Sequence, residues 1–113
     1  MSLADQIRKS REQWVTAQGK EFLLRRPTKL QIATMGLGQD GKPWVEIAFA
    51  CTVDWKVLES DLIPGGGGRV APFDSDAFRE YASDQPELLV ELSNNVHRMI
   101  ETFDAKREEV SKN

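Results

Sequence analysis

One cysteine and one histidine stand in 113 residues, and no apolar run approaches the length of a membrane span. A single cysteine excludes an intramolecular disulfide framework. Cys51 lies within an apolar stretch, where the usual role is a small buried thiol in a reducing compartment. One Cys and one His cannot supply a zinc site, and Asp74, Asp76 and Glu80 lack the spacing of a calcium loop, so no metal and no cofactor is expected. His97 follows Val96 and has Asn94, Arg98 and Glu101 around it on a helical wheel, which puts it at the edge of an apolar stripe. That is not a catalytic constellation, and an enzyme is not expected. Residues 1–11 carry charges where a secretory leader would have its apolar core. The cytoplasm is therefore the expected compartment.

A basic excess is also missing. The formal net charge is −3, which opposes whole-molecule attraction to nucleic acid or to anionic lipid. Charge is unevenly spread, however: residues 1–30 carry seven Lys/Arg against three Asp/Glu, whereas residues 74–91 carry six acids against one arginine. Arg8, Lys9, Arg11, Arg25 and Arg26 form a candidate basic patch. They lack the interleaved aromatics of a nucleic-acid reader, so nucleic acid is not the expected partner.

What the sequence does have is a dense apolar centre, residues 44–62, holding two of the three tryptophans and the cysteine. Trp44, Ile47, Ala48, Cys51, Trp55 and Leu58 recur at helical spacing, while Val45, Ile47, Phe49, Cys51 and Val53 alternate as a strand would. The length of the segment and its charges favour a helix, with the strand as the competing reading. Forty per cent apolar residues in this length suit one domain with one modest core.

The flanking segments read more simply. Ser2 and Asp5 form a capping box for a peripheral helix within residues 1–11. Residues 14–17 and 20–25 lean towards strand on either side of Gln18-Gly19, a hairpin signal. Pro27 stops the second strand and Thr28 caps a helix containing Leu30, Ile32, Ala33 and Met35, closed by Gly36, Gly38 and Gly41. Four glycines, residues 65–68, predict a mobile connector, with an anion cradle formed by Gly65 to Arg69 as the alternative. Asp74 or Ser75 caps a helix through Phe78, Tyr81 and Ala82, and Asp84 with Glu87 caps the next. There Leu88, Leu89, Leu92, Val96, Met99, Ile100 and Phe103 form one stripe at spacings of three and four. Residues 104–113 are polar and are expected to fray. The expected fold is α+β: a mostly helical single domain with a short N-terminal β-hairpin and a long C-terminal amphipathic helix.

In order, the sequence shows Arg26-Pro27-Thr28 leading into a helix, then Asp54-Trp55 with Val57, then the glycine loop, then Pro72-Phe73 before a helix and a final helix. This succession resembles the phage tail assembly chaperones and covers about residues 14–103. The resemblance implies a small non-enzymatic protein of the bacterial host cytoplasm, with the tape measure protein and the tail tube protein as partners and homo-oligomers possible. An amphipathic partner helix would need a stripe or groove, for which Arg25, Arg26, Leu89, Leu92, Val96, Met99 and Ile100 are candidates, whereas the favoured reading of the stripe is burial against residues 44–62. Pro27, Thr28, Asp54, Trp55, Pro72 and Phe73 are expected to serve the structure. A structural component retained in the tail is the remaining alternative.

Overall fold

The structure, a computed structural model, describes residues 1–36 and 45–112, with side chains as far as 109. The expectations that fell on Trp44, Gly38 and Gly41 lie outside the described residues. Helix α1 (Leu3–Lys9) opens with the Ser2–Asp5 capping box, each partner bonding the other's backbone N–H, and none of its residues is buried. Strands β1 (Glu12–Ala17) and β2 (Lys20–Arg25) follow as an antiparallel hairpin. Its turn residues, Gln18 at φ 50° and Gly19 at φ 74°, are both left-handed. This is the twist that matches two right-twisted strands. The Gln18 N–H donates to Glu91 Oε2 at 2.9 Å, tying the turn to the last helix.

Pro27 is buried at the end of β2, and Thr28 then starts helix α2 (Lys29–Met35) by a reciprocal cap with Gln31. Gly36 ends the helix at φ 65°, a left-handed position that costs a glycine no Cβ clash.

The apolar centre resolves into both of its periodicities, one after the other. Helix α3 (Val45–Cys51) buries Ile47, Ala48 and Cys51, and strand β3 (Thr52–Trp55) continues without a break. The expectation of a helix through residue 55 is corrected: β2 offers an open ladder edge, and β3 takes it, pairing Phe22 with Trp55 and Leu23 with Asp54. A register shift between Leu23 and Leu24 accommodates the junction, where the buried Thr52 hydroxyl donates to Ala48 O at 2.7 Å. The result is a three-stranded sheet in the order β1-β2-β3.

Two further expectations are corrected between β3 and the last helix. Helix α4 (Glu59–Leu62) packs its N-terminus onto the glycine loop, with Glu59 N–H donating to Arg69 O at 2.9 Å and Ser60 N–H to Gly67 O at 3.0 Å. The loop is thus a hydrogen-bonded cap rather than a loose connector. Gly66 N–H donates to Ile63 O, and a Cβ at Gly66 would meet Glu59 O at 2.5 Å. Helix α5 (Ser75–Ser83) is capped by Asp74, whose Oδ1 accepts from Asp76 N–H at 3.0 Å. Asp84 closes α5 instead of capping the following helix. That role falls to the Gln85 carbonyl, which accepts from Leu88 and Leu89 as α6 (Pro86–Lys112) begins with proline in its first turn.

Helix α6 has 27 residues and is about 40 Å long at 1.5 Å per residue. The helix runs through Lys112, and Asp104 forms an ion pair with Lys29 of α2. Helices α3, α5 and α6 cover one sheet face with a core of Phe22, Leu24, Ile47, Trp55, Val57, Phe78, Leu88, Leu92 and Val96, each no more than 2% exposed. The α+β architecture, the hairpin and the long C-terminal helix are as expected.

Candidate functional site

Of the residues that carried the family resemblance, Trp55 and Phe73 meet in one aromatic cluster, with Asp54 and Pro72 at its edge, while Arg26-Pro27-Thr28 and the glycine loop lie elsewhere. The Trp55 ring stands edge-on to Phe73 at 5.3 Å, to Tyr81 at 6.0 Å and to Phe78 at 6.2 Å, and its Nε1–H donates to Ala71 O at 2.8 Å. Each such ring pair adds about 0.5–1.5 kcal/mol beyond area burial. Asp54 Oδ1 accepts from the Trp55 N–H at 2.8 Å and fixes the turn out of the strand. Pro72 is exposed and sets the chain before Phe73, which is partly buried against the core. These motifs therefore build the fold.

The stripe on α6 divides. Leu89, Leu92 and Val96 lie in the core, 7%, 0% and 0% exposed, and Ile100 packs against it. They are corrected as partner contacts, because the sheet and α3 already consume that face. Met99 and Arg26 instead line an open groove of about 450 Å³ between the foot of the hairpin and the C-terminal half of α6. Arg25 points elsewhere in the charge pattern, with its Nη2 2.6 Å and its Nε 3.1 Å from Glu12 Oε2.

Local geometry explains why cations gather in this groove. The Arg26 N–H donates to Arg11 O at 2.9 Å, so the β1-β2 ladder extends one step beyond the Glu12–Arg25 pair and sets Arg11 against Arg26. Arg98 and Lys106 lie eight residues apart on α6, with Thr102 midway, and so share a helix face. The Arg26 guanidinium stacks 3.6 Å above the Phe103 ring, while Arg107 approaches that ring at 5.6 Å. Burial first, and then the neighbouring Arg11 cation, push Arg26 below the usual arginine range, with Asp104 opposing. Arg11 Nε is buried with no hydrogen-bond acceptor among the described residues. Sequence reasoning missed Arg11, Arg98, Lys106 and Phe103 as a set. The hairpin register did hold the signal, since a turn at Gln18-Gly19 forces Arg11 opposite Arg26.

The remaining reactive groups are held by structure. Burial pushes the Cys51 thiol up to about 12, which keeps it protonated and unreactive near neutrality. His97 is half-buried on α6 and has an interaction partner. Among the described residues no group of three or more His, Cys, Asp or Glu is placed to hold a metal ion, and no helix is long and apolar enough to cross a membrane. The Gly65 to Arg69 loop presents carbonyls to α4, its Gly66 amide is committed to Ile63, and Arg69 lies 3.7 Å from Glu59 Oε1. Compared with family models, curated proteins and solved structures, the chain matches none.

Proposed function

We propose that this chain is a phage or prophage tail assembly chaperone, a non-catalytic protein of the bacterial host cytoplasm. It binds the tape measure protein and helps to recruit tail tube subunits. The observation that supports this most is the convergence of Asp54-Trp55 with Ala71 and Phe73, the flank of Pro72, on one packing unit. Part of the resemblance thus rests on one packing unit, with Arg26-Pro27-Thr28 at the start of α2 and the glycine loop against α4. Action by binding agrees with the buried, protonated state of Cys51 and with an open groove that sets cations beside apolar side chains.

The test is co-expression with the neighbouring genes, followed by pull-down of this chain and mass spectrometry. Recovery of a long helical tape-measure-like protein is the expected result. If the chain is recovered alone, the reading fails. Its presence in finished, purified particles would instead make it a structural tail component.

A further inference from the structure

The groove between the hairpin foot and α6 has a charge arrangement that folding alone does not explain. Like charges directly opposite each other on an antiparallel ladder are destabilising, yet Arg11 faces Arg26 there. Arg11, Arg98 and Lys106 form no ion pair among the described residues, although carboxylates elsewhere in the chain are paired. The one acid lining the groove, Glu12, has its Oε2 occupied by Arg25. A buried guanidinium N–H without an acceptor is a standing cost that an incoming oxygen ligand would relieve. Beside these cations lie the apolar Val15, Met99 and Phe103.

We propose that this groove recognises a carboxylate-rich segment of a protein partner, with Arg11, Arg26, Arg98 and Lys106 binding the carboxylates and Phe103 and Met99 receiving an adjacent apolar side chain. This rests on the reading of the chain as a partner-binding protein, and names where and by what chemistry the partner is held. Arginine forks suit carboxylates, which they bind through two parallel N–H donors. The groove cations complement any anion, but Val15, Met99 and Phe103 beside them favour an acidic peptide, which brings apolar side chains next to its carboxylates, over a nucleic acid. One face of Phe103 is already covered by Arg26 at 3.6 Å and its ring is approached by Arg107, leaving poor ground for base stacking.

The experiment titrates the full chain into a fluorescein-labelled peptide of alternating Glu and Leu. Its Gln/Leu counterpart, a single-stranded DNA of equal charge and inorganic phosphate serve as comparisons. Saturable binding of the Glu peptide is expected, weakening with added salt, and at least about tenfold weaker for the Gln peptide. Arg98→Gln with Lys106→Gln changes two exposed positions to a good helix former, so the fold, followed by circular dichroism, is retained. This double variant is expected to lose at least about tenfold in affinity, while Arg69→Gln, at a side chain 91% exposed beside α4, has no effect. Tighter binding of DNA or phosphate, equal binding of the Gln peptide, no saturable binding, or an unaffected double variant would each overturn the proposal. Pull-down with the same variants separates the two readings. A partner that co-purifies equally with wild type and double variant removes the groove and leaves the chaperone, whereas a peptide result as expected without any co-purifying partner removes the chaperone and leaves the groove.

Discussion

Trp55 stands where three kinds of interaction coincide: a β-ladder pair with Phe22, a buried indole hydrogen bond to Ala71 O, and edge-on contacts with Phe73, Phe78 and Tyr81. Trp55→Ala is expected to lower unfolding free energy by about 3–5 kcal/mol in urea titrations, and an unchanged midpoint would show the side chain to be dispensable. Cys51 gives a pH-dependent prediction. Its thiol pKa is raised by burial from 9.0 to about 12, so the folded chain keeps a proton that the unfolded chain releases between those values. The contribution is intact below pH 9 and is lost as pH rises towards 12, at no more than about 1.4 kcal/mol per pH unit. Urea titrations at pH 8 and pH 10 should therefore show wild type losing more stability than Cys51→Val. Equal losses would mean that the thiol is accessible. Both roles were legible from apolar context alone, since a lone cysteine and a tryptophan amid Val, Ile and Phe have few other places to go. The Arg11–Arg26 opposition was also within reach, since a two-residue turn at Gln18-Gly19 carries the register one step past the strands to that pair, but its meeting with Arg98 and Lys106 was not, because that depends on how α6 packs against the hairpin.

At the scale of elements, the glycine loop and α4 form one unit. The backbone N–H groups at the start of so short a helix need acceptors, and the carbonyls of Gly67 and Arg69 supply two. The unit is also tied to the hairpin, since Asp61 accepts from Lys20 Nζ at 3.0 Å and from Leu58 N–H at 3.0 Å, which hold its carboxyl below the usual range. Gly66→Ala is expected to cost about 1–3 kcal/mol, because the new methyl group meets the Glu59 carbonyl, which a short helix cannot move freely. Gly68→Ala, with nothing within 4 Å, should be close to neutral. Thermal melts of the two variants decide the matter: equal melting temperatures would restore the loose-connector reading. Composition pointed the wrong way here because glycine frequency reports freedom of the unfolded chain and says nothing of the hydrogen bonds that remove it. The long stripe of α6 was clear in the sequence for the opposite reason, as seven apolar positions at spacings of three and four permit only one buried face. The division of residues 45–55 into helix then strand was hidden, because each half satisfies its own period and only the open edge of β2 decides between them.

Over the whole molecule, one apolar core is fully used by folding, and what is left exposed is asymmetric in charge. The cationic groove lies at the hairpin foot, while Asp74, Asp76, Glu80, Asp84 and Glu87 are exposed on and around α5. Such a distribution steers a partner's approach and confers salt dependence on binding, with little effect on fold stability. We propose that this surface serves a chaperone for a long, aggregation-prone helical partner. The most direct test is light scattering of purified tape measure protein diluted from denaturant in the presence of increasing amounts of this chain. The account predicts suppression of aggregation that saturates at a fixed stoichiometry. Scattering that is unchanged by the chain at any ratio would contradict it.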